Sequence, residues 1–138
     1  MNAAKAYFGR RYMLSASHRL QVDALSVEEN RAAYGKCNNP HGHGHNYTIE
    51  VMVGGPVDGQ TGMVMNLVEL DQMVNERIMQ RFDHRNLNLD AAFASRVPTT
   101  ENLSLAVFEL LRDALPEGRL EHVRIEETEN NFFECYSA

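Results

Sequence analysis

The sequence has no apolar run near the roughly 20 residues needed to cross a bilayer, which argues against a membrane-embedded chain. Its first residues, Met1 to Arg11, show no sustained hydrophobic stretch followed by a small-residue cleavage site, so no secretory leader is expected. Cysteine is scarce. Two in 138 residues do not frame a disulfide-stapled fold, and a reducing, cytoplasmic setting is the expectation. Basic charge is in the minority: Lys plus Arg number 13 against 19 Asp plus Glu, a formal net charge of −6. That balance excludes a broad basic surface for nucleic acid or acidic lipid and leaves room only for a local anion pocket. Low-complexity tracts, repeats and long linkers are also missing, so residues 1–138 are read as a single domain with its own core.

Periodicity comes in blocks. Tyr12, Leu14, Ala16 and His18 share one parity and Arg11, Met13, Ser15 and Ser17 the other, a strand with one buried face. Ser26-Val-Glu-Glu29 is a capping-box pattern that predicts a short helix near 27–34, ended by Gly35. The Gly/Asn/Pro-rich passage from Gly35 to Gly42 reads as an irregular loop. Alternation resumes with Tyr47, Ile49, Val51 and Val53, and Gly54-Gly-Pro56 closes this second strand. From Asn66, a cap with Glu69 as its reciprocal partner, Leu67, Leu70, Val74, Ile78 and Phe82 fall at helical spacing. A further helix runs from about Thr100 with Leu103, Val107, Leu110, Leu111 and Ala114 inward, stopped by Pro116 and Gly118. Val123 and Ile125 mark a third strand, and Phe132 to Tyr136 a fourth beyond the Asn130-Asn131 turn. The order β-β-α-α-β-β predicts an α+β fold: an antiparallel sheet with two helices on one face. Its other face is either wet or packed against a second subunit.

The histidines stand out: His41, His43 and His45 lie together, and His18, His84 and His122 elsewhere. Residues two apart on a strand project from one face with Cα atoms about 6.5–7 Å apart, near enough for two imidazoles to meet one Zn²⁺. His43 and His45 have the parity of Tyr47, Ile49 and Val51, and His18 extends the apolar face of the first strand. If these strands are neighbours, three imidazoles arrive at one end of one face and leave a fourth tetrahedral position open, the catalytic pattern. His41 is a poorer third ligand, roughly 13 Å from His45 in extended chain and directly after Pro40. Two plainer readings stand beside this one. His-Gly-His-Gly-His can be a polar glycine loop without metal, or a closed structural zinc site that adds Cys37 to the histidines.

Cys37 sits six positions before His43, and a thiol near a metal and a histidine can be lowered in pKa to act as base or nucleophile; the alternative is an ordinary loop thiol. Cys135, near Phe133 and Tyr136, reads as packing or surface. Asp83-His84 follows the first long helix and can serve a shared site if the chain bends there; otherwise His84 caps a helix dipole. Glu127 has the inward parity of Val123 and Ile125, so its carboxylate must be paired or must bind something. Two parallel N–H donors of a guanidine-like heterocycle would suit it, as would an internal arginine.

Taken in order, these segments resemble the 6-pyruvoyl-tetrahydropterin synthase family: Ser15-Ala-Ser-His-Arg-Leu20, Glu28-Glu-Asn30, Gly35-Lys-Cys-Asn-Asn-Pro40, Gly42-His-Gly-His-Asn-Tyr47, Thr61-Gly-Met-Val-Met-Asn-Leu67, Asp83-His84 with Asn86-Leu87, Thr99-Thr-Glu-Asn102 and Glu127-Thr-Glu-Asn-Asn131. The resemblance spans nearly the whole chain. It implies a T-fold assembling into a ring, a homo-oligomeric trimer or a hexamer of two stacked trimers, with active sites between subunits. It implies His18, His43 and His45 as Zn²⁺ ligands, Cys37 as the proton-abstracting base, and Asp83 and His84 as its relay. It implies Glu127 as the anchor of the pterin ring, assisted by Thr100 and Glu101. The activity implied is a carbon–oxygen lyase acting on a phosphate: 7,8-dihydroneopterin triphosphate becomes 6-pyruvoyl-tetrahydropterin as triphosphate is eliminated, without a redox cofactor. Lys36, Arg85 and Arg19 are candidates for the triphosphate, with none singled out.

Three other readings remain open. One is the related 6-carboxy-tetrahydropterin synthase of the 7-deazaguanine pathway, which expels acetaldehyde and triphosphate. A second is a non-enzymatic, zinc-stabilised oligomer module. A third is a zinc hydrolase with Asp83 or Glu101 activating water, although no H-E-x-x-H pattern is present.

Overall fold

The alternation that ends at His18 belongs to a long strand, β1 (Ala6–His18), and the one that begins at the clustered histidines to another, β2 (His43–Gly55). In the computed structural model, which describes residues 4–137, the two pair antiparallel in one unbroken register, from Ala6 opposite Gly55 to His18 opposite His43. A two-residue strand, β3 (Arg85–Asn86), lies parallel to β1 beside Ala16 and Ser17. On the other side β4 (Leu120–Thr128) pairs antiparallel with β2, and β5 (Asn131–Tyr136) with β4. The sheet order is β3-β1-β2-β4-β5. The expected antiparallel sheet is therefore mixed at one edge, because two residues are too few for alternation to betray β3.

The helices start where their caps predict. Ser26 accepts from the Glu29 amide and Glu29 returns a bond to the Ser26 amide, opening α1 (Val27–Tyr34) with a complete capping box. Gly35 ends α1 at φ 55°, and a 3₁₀ turn, Gly35–Asn38, follows. Asn66 caps α2 (Leu67–Val74) through the Glu69 amide; the reciprocal Glu69 bond expected from sequence is not made. A π turn, Asn75–Met79, then leads into α3 (Gln80–Phe82). Leu70, Val74, Ile78 and Phe82 are each four residues apart, and every such step overshoots an ideal α-helix by about 40°. The wider π turn takes up that drift and keeps all four side chains fully buried. Leu67, by contrast, is partly exposed at the first turn. Thr99 caps α4 (Thr100–Ala114) through the Asn102 amide.

Leu14, Ala16, Tyr47, Ile49, Val51, Val53, Val123 and Ile125 form the sheet side of one core, packed against Leu70, Val74, Ile78 and Phe82 and against Leu103, Val107 and Leu111 of α4. The opposite face of the sheet carries a row of alternating charge in direct register across four strands: Arg11, Glu50, Arg124 and Glu134. Arg11 Nε donates to Glu50 at 2.8 Å and Arg124 Nη1 to the other Glu50 oxygen at 2.5 Å. Exposed Met13, Phe132 and Tyr136 share that face.

Candidate active site and metal centre

The last paired residues of β1 and β2 place His18 directly opposite His43, and His45 follows two residues on along the same face. The His43 and His45 rings are 4.4 Å apart, centroid to centroid, and His18 is 4.9 Å from His45. One ligand atom from each of His18, Cys37, His43 and His45 lies within 4.8 Å of all the others. Donors around one tetrahedral zinc ion stand about 3.3–3.6 Å apart, so small side-chain rotations suffice to close the set. His41 lies outside it, exposed, its amide bonded to Asn39.

Gly42 makes this convergence possible. It turns at φ 69°, and a Cβ there would stand 2.9 Å from the His18 carbonyl oxygen. Gly44 has no such demand; a Cβ there meets only ordinary contact.

The cluster is set up to receive a cation. His18 Nδ1 is 2.8 Å from the Pro98 carbonyl, which can only accept, so Nδ1 carries the proton and Nε2 presents its lone pair. That Nε2 is buried and has no hydrogen-bond partner among the described residues. Burial lowers the pKa of His18 against the raising effects of the Pro98 carbonyl and Glu127. It also lowers that of His45, again opposed by Glu127, with His18 and His43 adding to the depression. Both imidazoles are thereby kept neutral, the form that binds metal. An unpartnered lone pair among neutral imidazoles and a thiol matches the ligand chemistry of Zn²⁺.

Cys37 comes from the 3₁₀ turn after α1, and its Sγ is 3.1 Å from His43 Nε2. Burial, and after it the charge of Glu127, push this thiol above its ordinary pKa. The lowered thiol pKa expected from sequence is therefore not a property of the polypeptide alone.

Glu127 reaches the cluster from β4. Its Oε2 accepts from the Thr100 hydroxyl at 2.7 Å, and its Oε1 is 3.0 Å from His45 Nε2, though off the line of a hydrogen bond. No arginine pairs with it among the described residues. Thr100, supplied by the first turn of α4, is almost fully buried. Glu101 beside it is exposed, and its side chain has no hydrogen-bond partner among the described residues.

Asp83 and His84 are placed elsewhere. Asp83 Oδ1 accepts from the Ser15 amide at 2.9 Å, and Oδ2 is 3.1 Å from His84 Nδ1. His84 has φ 58°, a left-handed backbone held by its amide bond to the Ser15 carbonyl, and its ring is largely exposed. It lines a groove with Ser15, Ser17, Gly44 and Asn46, whose parity is opposite to that of the histidine cluster, and with Ala16 and His45, whose parity is the same. No hydrogen bond or ion pair joins Asp83 or His84 to Cys37 within the chain, among the described residues.

Two contributors escaped the sequence reading. Parity assigns Tyr47 to the core, yet its hydroxyl is buried beside His45 with no hydrogen-bond partner among the described residues, and burial and Glu127 raise its pKa. Its parity with His43 and His45 was the available signal. The Pro98 carbonyl that orients His18 had none.

Three imidazoles, a thiol and a largely buried carboxylate at one end of the sheet of an α+β protein define a T-fold chain with a candidate metal site. Residues 8–138 match the family described as 6-pyruvoyl tetrahydropterin synthase. The chain is 50% identical over 128 residues to the human 6-pyruvoyl tetrahydrobiopterin synthase, covering 92% of this chain and 88% of that protein. It superposes on the Caenorhabditis elegans 6-pyruvoyl tetrahydropterin synthase with a TM-score of 0.92 at 37% identity, covering 100% and 99% of the two chains. A putative 6-carboxy-5,6,7,8-tetrahydropterin synthase from Archaeoglobus fulgidus is 35% identical over 112 residues, 80% of this chain and 88% of that one. This chain belongs to the 6-pyruvoyl tetrahydropterin synthase family.

Proposed function

We propose that this chain is a zinc-dependent lyase that converts 7,8-dihydroneopterin triphosphate to 6-pyruvoyl-tetrahydropterin with elimination of triphosphate. The observation that carries the reading is the convergence of His18, His43 and His45 with Cys37 on one side and the Glu127–Thr100 pair on the other. His18, His43 and His45 hold Zn²⁺, which when bound supplies Lewis-acid polarisation of the substrate's side-chain hydroxyls.

Glu127 accepts two N–H donors from the pterin ring, with Thr100 fixing the carboxylate, so that the side chain of the substrate lies over the imidazoles. Tyr47 closes the floor beneath them. Cys37, as thiolate, removes a carbon-bound proton; the electron pair left behind forms a carbon–carbon double bond as the carbon–oxygen bond to triphosphate breaks. The leaving group departs with its bonding pair, and proton return completes an internal redox shift with no external oxidant. Asp83 and His84 of a neighbouring protomer relay that proton, since within one chain, among the described residues, neither bonds Cys37. The open edge of β5 and the exposed Met13, Phe132 and Tyr136 support a homo-oligomer in which such a neighbour is present.

Incubation of the zinc-loaded protein with dihydroneopterin triphosphate and mass analysis of the products tests the reading. 6-Pyruvoyl-tetrahydropterin and triphosphate are expected. Acetaldehyde and 6-carboxy-tetrahydropterin in place of the 6-pyruvoyl product, with triphosphate again released, assign the 6-carboxy reaction instead.

One observation favours a second reading. Cys37 Sγ is close enough to serve as a fourth ligand, which would make the centre structural and closed. The substitution described in the Discussion separates the two.

A further inference from the structure

The distribution of partnered and unpartnered cations is uneven. Arg10, Arg11, Arg81, Arg96, Arg112 and Arg124 each have a carboxylate within ion-pair distance. Lys5, Arg19, Arg31, Lys36, Arg77, Arg85 and Arg119 have none among the described residues. Of these, Arg19, Arg31, Lys36 and Arg85 line cavities that His18, His43 or His45 also line. In a chain of net charge −6, free cations beside these histidines favour an anion there.

Arg31 and Lys36 face the same space. A cavity of about 650 Å³ opens beside His43 and is lined by Arg31, Lys36, Asn38 and Asn39 together with Gly35 and Pro40. No carboxylate lines it, and Arg31 does not pair with Glu28, three residues earlier on the same helix. The cavity also borders the site: His43, whose ring is 4.4 Å from that of His45 and whose Nε2 is 3.1 Å from Cys37 Sγ, is part of its lining, and Lys36 is the chain neighbour of Cys37. Glu127 is 3.0 Å from His45. A substrate anchored by its ring at Glu127, with its side chain across the imidazoles, presents its far end here.

We infer that Arg31 and Lys36 form the binding site for the triphosphate of the substrate, and that the departing triphosphate is held there after the carbon–oxygen bond breaks. This rests on the proposed reaction for the identity of the ligand. The two cations sit where negative charge builds on the leaving oxygen, so they act on binding and on departure. The competing site is a smaller cavity of about 260 Å³ on the His18 side, lined by Arg19 and His41 with Asn86 and Asn88. It holds a single Lys or Arg side chain rather than two. The Arg19 backbone there is clamped at both its amide and its carbonyl by the Asn88 side chain.

The test uses inorganic tripolyphosphate as probe on the zinc-loaded protein, by calorimetry, with zinc content measured before and after. The Arg31→Gln/Lys36→Gln double variant should bind tripolyphosphate at least tenfold more weakly and raise KM for the triphosphate substrate by a similar factor. Zinc content, thermal midpoint and affinity for unphosphorylated dihydroneopterin should stay at wild-type values. Arg77→Gln, an unpaired cation on the π turn, serves as the control with no change. Wild-type tripolyphosphate affinity in the double variant overturns the inference, as does a loss produced by Arg19→Gln instead. Turnover by the wild type with KM unmoved in the double variant overturns it too, and leaves the proposed reaction standing. Tripolyphosphate binding that depends on Arg31 and Lys36, in a protein that makes no pterin product, supports the anion site and sinks the reaction.

Discussion

In the proposed reaction Cys37 carries the heaviest demand of any single residue. A thiol raised in pKa by burial and by Glu127 is a poor base at neutral pH, so the proposed cation and the adjacent His43 would have to supply the missing stabilisation of the thiolate. Cys37→Ala should therefore keep a full equivalent of zinc and a wild-type fold, and lose activity by about 10²–10⁴-fold, the span of general base catalysis. Zinc content by mass spectrometry under native conditions checks it: loss of the metal together with the fold identifies a structural Cys-His₃ centre. The imidazoles make a second demand. His18 and His45 have folded-state pKa values below the ordinary histidine value, chiefly through burial, so on acidification the unfolded chain takes up protons first. The metal-free protein should lose stability progressively as pH falls below about 6.5, the unfolded-state value. A thermal midpoint that held level or rose between pH 7 and pH 5 would contradict this. At this scale the sequence was readable wherever parity spoke: His18, His43, His45 and Glu127 face the way their alternation says. Parity was silent on the Pro98 carbonyl and on Thr100, because these come from a loop and a helix end that only folding brings to the strands.

Elements position these residues through backbone geometry more than through packing. Gly42 lets the loop after Pro40 cross within contact of the His18 carbonyl, so His43 enters β2 in register with His18. Gly42→Ala combines a strained φ with a clash against backbone, and should displace His43, lowering zinc affinity at least tenfold while costing about 1–3 kcal/mol of stability. Gly44→Ala should be much milder, since its added Cβ meets only ordinary contact. Zinc competition titration on the two variants distinguishes them; equal affinity in both would remove the special role of Gly42. The long helical segment makes the same point differently. Its every-fourth-residue apolar pattern was legible, but the π turn that reconciles this pattern with an α-helix was not, since both geometries share one hydrophobic face. β3 escaped altogether, for it is defined by its pairing with Ala16 and Ser17 and by nothing in its own two residues.

For the whole molecule the decisive question is where the proposed proton relay sits. Neither Asp83 nor His84 bonds Cys37 within the chain, among the described residues, so in the proposed reaction a neighbouring protomer supplies them. Mixing two inactive variants, Cys37→Ala and His84→Ala, after dissociation and reassembly should restore part of the activity in mixed oligomers. Neither variant alone should show it, and a mixture as inactive as its parents would place the relay within one chain. The order of the four longer strands and of the helices between them, the inward face of those strands, the capping residues and the residue types of the candidate metal site were determined by the sequence itself. Each follows from a local rule: a period of two or of 3.6, a side-chain cap, or the ligand chemistry of an imidazole. Only the tertiary structure decided that Cys37 meets His43 rather than His84, that Glu127 bonds Thr100 rather than an arginine, and that Arg31 and Lys36 share one cavity. Those contacts join residues from different elements, and their distances depend on how the sheet, the loops and α4 pack together, which no local pattern encodes.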